Sequence, residues 1–329
     1  MNNQTVEVFF SVDENYVPFL AVAIHSLIEN LSPKRRVNIH ILNSGLSENS
    51  IKRLQKFASD RVKITPVDVT RKLAPLAAKL NLRDYYTVSI YFRLFIAALF
   101  PQYHKAIYLD ADIVVNGDIA ALYDTQLGNH LVGAIPDAVI ASRQEFRDYA
   151  ELGVGIPFQR YFNSGVMLMN LDQFREQQIE SRFVELLNTY HFDTVCPDQD
   201  YLNVLCRDQV LYLDNGWNKM AIDNRYNGVP NVVHYNNFFK PWQYDNINYQ
   251  EHFWRYAEQT EFYDEILAIR RNFDHSKVLA HRKATRELVS SVLQIIHSDC
   301  NFRCVLHERQ MQEIPFLNDF IPAGVVYEA

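Results

Sequence analysis

Two carboxylates two positions apart interrupt an apolar run, Ala106-Ile107-Tyr108-Leu109-Asp110-Ala111-Asp112-Ile113-Val114-Val115. Runs of this kind form central strands of parallel sheets, where an unpaired charge is costly to bury. On extended backbone Asp110 and Asp112 would point to the same side. Two carboxylates converging at the end of a buried strand suit a hard divalent cation and the phosphate it would hold. The pattern points to an enzyme acting on a nucleotide or a phosphate.

Other polar groups stand at comparable places. Val232-Val233 is strand-like and ends on His234, as the earlier run ends on its aspartates. An imidazole completing a two-carboxylate site suits Mn²⁺ better than Mg²⁺, because nitrogen ligands favour the transition metal. Lys240, six residues on, is a point charge for a phosphate. In Tyr91-Phe92-Arg93, a buried guanidinium could neutralise a diphosphate with bidentate geometry; the competing reading is a structural ion pair. Asp13 and Asn15, in the turn Ser11–Asn15, could reach a base or ribose; alternatively they cap the helix that follows. Tyr161-Phe162-Asn163-Ser164-Gly165 reads either as a turn or as an amide beside a pocket for a hydroxyl-rich ligand. Pro197-Asp198-Gln199-Asp200 opens a helix: Asp198 is an N-cap in one reading, and with Gln199 it faces a cleft in the other.

These groups need a frame to hold them, and the apolar periodicity supplies one. Strands are expected at Val6–Phe10, Val37–Leu42, Val62–Val67, the aspartate run, Leu131–Ile135, Gly165–Asn170 and Val210–Leu213. Helical spacing covers Val17–Asn30, Glu48–Phe57, Ser89–Phe100, Leu171–Asn188 and Asp198–Arg207. Strands alternating with helices predict an α/β fold with a mostly parallel central sheet and helices on both faces. Open sheets of this class bind ligands at the carboxyl ends of their strands, where the early turn also falls.

The 329 residues divide by character into a main domain, residues 1–245, and a helical C-terminal extension, residues 246–329. The extension is basic at first, with six Lys or Arg between Arg270 and Arg286 against one acid, Asp274. Apolar residues from Leu288 to Ile296 then recur at helical spacing, so residues 270–296 form either a candidate contact with an anionic membrane face or a solvated helix packed against the main domain. Phe302, Phe316, Phe320 and Tyr327 make the tail a candidate interface.

A net charge of -7 argues against general nucleic-acid binding. The N-terminus carries no signal-type segment and no apolar run is long enough to span a bilayer, which together predict a cytoplasmic protein. Its four cysteines are then expected as thiols; Cys300 and Cys304, near His297 and His307, have loose spacing for a zinc site.

An apolar strand ending in Asp-x-Asp-x-Val also resembles the nucleophile motif of haloacid-dehalogenase-type phosphatases. Here the motif lies more than 100 residues into the chain, with no Gly-Asp acidic-pair loop after it. Taken together and in order, the motifs between residues 5 and 245 resemble glycosyltransferase family 8, the group of bacterial lipopolysaccharide galactosyl- and glucosyltransferases and glycogenin. The resemblance implies a GT-A fold, a UDP-glucose or UDP-galactose donor, Mn²⁺ (or Mg²⁺) and transfer with retention to a glycan, glycolipid or glycoprotein. It implies contacts from Ser11, Asp13 and Asn15 to the uridine and from Arg93 to the nucleotide-sugar. It makes Asp110, with Ala111 and Asp112, the Asp-x-Asp motif, and Asp110, Asp112 and His234 the metal ligands. Asp137, Asn163, Asp198 and Gln199 would line the donor-sugar and acceptor pocket.

Lys240 matches the lysine of the family's His-x-x-Gly-x-x-Lys-Pro-Trp pattern, whose glycine is Asn237 here. If that position needs a positive φ, Asn is a tolerable occupant. Gln199 takes the position debated as nucleophile, but a neutral amide is a poor one. Same-face attack, with the UDP β-phosphate oxygen as base, is the favoured course. The remaining alternative is a silent sugar-nucleotide binder.

Overall fold

The computed structural model describes residues 5–71, 73, 88–237 and 240–308. Its strands, in chain order, are β1 (Val6–Ser11), β2 (Val37–Asn43), β3 (Val62–Asp68), β4 (Lys105–Leu109) and β5 (Ile113–Val115). They continue with β6 (Val132–Pro136), β7 (Phe162–Asn170), β8 (Val210–Tyr212), β9 (Lys219–Met220) and β10 (Val232–His234). Seven form one sheet in the order β3-β2-β1-β4-β7-β6-β8, and three form a small one, β5-β10-β9. Within the large sheet only β7 runs against its neighbours, β4 and β6.

The alternation of side chains explains why this sheet is covered on both faces. Phe9 of β1, Ala106 and Tyr108 of β4, and Met167 and Met169 of β7 enter one apolar core. Their neighbours Val8, Phe10, Ile107, Leu109, Val166 and Leu168 enter a second core on the other face. Helix α1 (Val17–Asn30) lies in the second core through Phe19–Ala23, Ile24 and Leu27, with Pro18 in its first turn.

The expected helix over residues 89–100 is broken. It runs as Val88–Tyr91, a 3₁₀ turn Phe92–Phe95, and Ile96–Leu99. Arg93 Nε donates to Ile90 O (3.1 Å), a carbonyl that a continuous α-helix would give to its own backbone. The expected helix over 171–188 divides into α2 (Leu171–Glu176) and α3 (Ile179–Tyr190) at Gln178, whose φ is +54°. No glycine marks that left-handed residue. The helix after Pro197 is α4 (Pro197–Leu205), with Cys196 as N-cap; Asp198 stands in the first turn and is not the cap.

The C-terminal helices close both cores. α5 (Gln250–Ala257) and α6 (Tyr263–Arg271), with the residues between them, give Phe253, Tyr256, Ala257, Phe262 and Ile266 to the second. α7 (His275–Ile296) and α8 (Phe302–Glu308) give Val292, Ile295, Phe302 and Val305 to the first. Phe302 is therefore core and not interface; Phe316, Phe320 and Tyr327 lie outside the described residues. No helix of the described residues is long and apolar enough to cross a membrane.

Candidate active site

The aspartates do not lie on one extended strand. β4 ends at Leu109, and the chain leaves the large sheet for the small one through Asp110-Ala111-Asp112. Backbone pairing fixes this switch on both sides: Asp110 N donates to Gly165 O (2.8 Å), and Tyr235 N donates to Asp112 O (2.9 Å). β5 then pairs with β10 so that Ile113 sits opposite His234. The carboxylates meet the imidazole because a sheet switch and a strand end are hydrogen-bonded neighbours. A period of two along one strand is not the cause.

Each carboxylate has one oxygen tied and one turned inward. Asp110 Oδ1 accepts from Arg93 Nη2 (3.0 Å) and from the Tyr108 hydroxyl (3.0 Å). Its Oδ2 lies 3.8 Å from His234 Nε2. Asp112 Oδ2 is paired with Lys240 Nζ, and its Oδ1 lies 3.2 Å from His234 Nε2. Burial alone would raise the Asp112 carboxyl, but the Lys240 ammonium beside it holds the group well below the usual range. Burial likewise disfavours the charged Lys240, and Asp112 overcomes that and raises it.

These inward atoms form a cation-shaped set. One ligand atom each from Asp110, Asp112 and His234 lies within 4.8 Å of the others, the one such His/Cys/Asp/Glu group among the described residues. Asp112 Oδ1 is buried and takes no hydrogen bond. His234 Nδ1 faces the acceptor Asn218 Oδ1 at 2.9 Å, which favours a proton on Nδ1; in that neutral tautomer Nε2 keeps its lone pair. Two lone-pair atoms side by side, buried, fit a divalent cation between them. The donor set, carboxylate oxygen and imidazole nitrogen, suits Mn²⁺ or a similar ion.

Cationic side chains flank this set. Arg93, 5% exposed, spans Asp110 and Asp198 (Nε to Asp198 Oδ2, 3.2 Å) and donates through Nη1 to Ser164 O (2.8 Å). Its guanidinium carbon lies 4.3 Å from the Tyr108 ring centroid. Lys240 Nζ is 5.6 Å from the Trp242 ring and 6.0 Å from that of Tyr16. Tyr16 is itself raised: Lys240 pulls it down, but burial and the charges of Asp112, Asp13 and Asp110 prevail. The early turn thus shares the electrostatic field of the aspartates. Asp13 caps that turn, accepting from Asn15 N (2.9 Å) and Tyr16 N (3.2 Å), while Ser11 closes β1.

Beside the charged group lies a pocket of amides. Asp137 caps the helix Ala138–Ser142 through Oδ1, which accepts from Val139 N (2.8 Å) and Ile140 N (3.0 Å). Its Oδ2 accepts from Asn163 Nδ2 (2.9 Å) and Gln199 Nε2 (3.1 Å). Gln199 Oε1 accepts from Asn163 Nδ2 (3.0 Å) and Ser164 N (3.0 Å). Asp198 Oδ2 accepts from Ser164 Oγ (3.1 Å); burial raises its carboxyl against the pull of Arg93. Asn237, at the position of the family glycine, has φ +51°, a left-handed conformation that asparagine tolerates.

Four contributors escaped the sequence reading. Tyr108 was only part of the apolar run, and Tyr16 fell between the early turn and the helix from Val17. Gly165 looked like a turn, yet a Cβ there would meet the His234 ring and come within 2.5 Å of Asp110 Oδ2. Asn218, 3% exposed, carries no local signal at all. Asp200 was visible beside Gln199, but its role is framework. The Tyr149 and Tyr161 hydroxyls donate to it at 2.6 and 2.5 Å, and burial pushes its carboxyl up to about 6.

The sequence profile of glycosyl transferase family 8 matches residues 7–246. The chain belongs to that family. A Haemophilus influenzae glycosyltransferase relative is 30% identical over 67% of this chain and 65% of its own length. Glycosyltransferase GlyB of Streptococcus pneumoniae is 29% identical over 80% of this chain and 64% of its own length. The chain thus spans just under two thirds of the length of those two relatives. The lipopolysaccharide glucosyltransferase WaaO of Escherichia coli is 28% identical, with 73% of each chain covered. Among solved structures, the galactosyltransferase LgtC in complex with donor and acceptor sugar analogues superposes with TM-score 0.63 at 26% identity, over 78% of this chain and 96% of that one. The bifunctional glycosyltransferase WbbM, at TM-score 0.70 and 24% identity over 82% of this chain and 52% of that one, shares the fold. The family 8 chain is thus an α/β protein of GT-A type, with a mostly parallel central sheet.

Proposed function

We propose that this protein is a retaining hexosyltransferase that moves glucose or galactose from a UDP-sugar to a glycan, glycolipid or glycoprotein, with Mn²⁺ as its metal. The observation that carries the reading is the convergence of Asp110 Oδ2, Asp112 Oδ1 and His234 Nε2, flanked by Arg93 and Lys240. Such a site fits a diphosphate leaving group, whose charge is the main obstacle to departure. The cation, when bound by Asp110, Asp112 and His234, supplies Lewis-acid neutralisation of that charge.

The remaining chemistry belongs to the chain's own side chains. Arg93 and Lys240 add fixed positive charge beside the leaving group, at no reorganisation cost because both are already held by carboxylates. Asp137, Asn163 and Asp198 line the donor-sugar pocket, Asp137 and Asn163 as its hydrogen-bonded wall. The oxygen of Gln199 is engaged by an amide and a backbone N–H, so it is a hydrogen-bonding group and no nucleophile. This favours same-face attack, with a donor phosphate oxygen taking the acceptor proton.

α7 carries exposed Lys277, Arg282, Lys283 and Arg286 with exposed Leu279, which supports a peripheral contact with an anionic membrane; a cytoplasmic location is part of the same proposal. Metal-dependent release of UDP from UDP-glucose or UDP-galactose tests the reaction. Release that persists unchanged in EDTA contradicts it.

A further inference from the structure

The amide pocket and the metal-facing group are joined by one chain of hydrogen bonds whose direction is fixed. It starts at Asp137, a carboxylate that only accepts and that takes four N–H groups, from Val139 N, Ile140 N, Asn163 Nδ2 and Gln199 Nε2. The donor end of the Asn163 amide must therefore face Asp137. Its oxygen faces the other way, accepting from Gly165 N (3.0 Å) and from Asn218 Nδ2 (2.9 Å). A backbone N–H cannot be reversed, so Asn163 is held from both ends. Asn218 must then point its own oxygen away from Asn163, and that oxygen meets His234 Nδ1 at 2.9 Å. Asn218 is placed there by β9, which begins at the next residue and pairs alongside β10. All four polar side chains of the chain, Asp137, Asn163, Asn218 and His234, are 6% exposed or less, so water does not compete for these bonds.

We propose that this relay is a tautomer lock and that Asn218 is its positioning residue. Asn163 fixes the direction of the Asn218 amide. Asn218 commits His234 to the Nδ1–H form, and Nε2 is presented unprotonated to the cation. The inference rests on the reading of Asp110, Asp112 and His234 as cation ligands, but its first consequence is visible with no metal bound. An imidazole without this partner divides between two tautomers, and the Nε2–H form cannot bind a metal through Nε2.

The test uses full-length protein labelled with ¹⁵N-histidine, held metal-free above the imidazole titration range, with His234→Gln to assign the signal. Wild type is expected to show His234 in the Nδ1–H form alone. Asn218→Ala and Asn163→Ala are both expected to let the Nε2–H form appear, and titration with Mn²⁺ alone should show affinity lowered about ten- to hundredfold for Asn218→Ala. Asn163→Asp keeps an acceptor for Asn218 Nδ2 and is expected to retain the Nδ1–H form, an outcome that mere loss of packing would not give. Nδ1–H signals unchanged in both alanine variants would overturn the lock. An effect in Asn218→Ala without one in Asn163→Ala would overturn the relay. If wild type takes up no Mn²⁺, the proposed function fails, while the metal-free spectra still judge the lock.

Discussion

The two halves of the site differ in kind. The amide half, built on Asp137, Asn163 and Gln199, is internally satisfied, and its carboxylate has four donors. The charged half is unfinished: Asp112 Oδ1 is buried without a hydrogen bond and faces His234 Nε2. A self-complete network makes a rigid wall, which in the proposed function bounds the sugar by its shape. An incomplete one makes a receptor, whose missing charge the ligand and its cation bring. Asp198 and Arg93 stand at the seam, since Arg93 holds a carboxylate of each half.

Breaking the charged half should cost most. Asp112→Asn removes a cation ligand and leaves Lys240 buried without its carboxylate. We expect metal-dependent UDP release to be lost and thermal unfolding to be destabilised by about 3–5 kcal/mol, measured by calorimetry. Gly165→Ala touches the same half through its floor, where the added methyl meets Asp110 and His234. Mn²⁺ affinity by isothermal titration should fall about ten- to hundredfold with the secondary structure intact.

The amide half should respond more gently, and with a pH signature. Gln199→Glu places a second carboxylate where an amide now donates to Asp137 at 3.1 Å. Stability should drop by about 1–3 kcal/mol at neutral pH and recover on acidification, as the pair takes up a proton. The same measurement on Asp200 sharpens the point. Its carboxyl is raised by burial to about 6, so the folded protein favours the protonated form. Stability is complete below the ordinary aspartate range and declines as pH rises through about 6. Carboxylate NMR should place its midpoint there.

Farthest from both halves, replacing Lys277, Arg282, Lys283 and Arg286 with Gln should leave UDP release in solution within about twofold, because surface changes rarely exceed a few tenths of a kcal/mol. Sedimentation with anionic vesicles should be lost. Retained sedimentation would remove α7 from the membrane contact.

Much of this was legible from residue types alone. The apolar runs gave the strands of the large sheet and β10 of the small one, but not β9, and the order of Asp110, Asp112, His234 and Lys240 gave the family. Local readings failed where the cause is not local. The aspartates read as one strand because the sequence does not mark a chain changing sheets, and apolar residues flank the two aspartates on both sides from β4 to β5. The tightened turn at Phe92–Phe95 exists because Arg93 is held by Asp110, Asp198 and Ser164, residues far along the chain. Gln178 turns left-handed with no glycine to announce it. Asn218 became meaningful only once β9 lay beside β10. By contrast the φ of +51° at Asn237 answers a question the motif had left conditional, since asparagine tolerates the positive φ that a glycine position can require.

The central claim is that the unfinished half is completed by a cation and a UDP-sugar together. Its most direct measurement is UDP release from UDP-glucose and UDP-galactose, in Mn²⁺ and in EDTA, for wild type and Asp112→Asn. The account predicts release from one of the two sugars that requires the metal and disappears in the variant. Release that ignores EDTA and survives Asp112→Asn would contradict it.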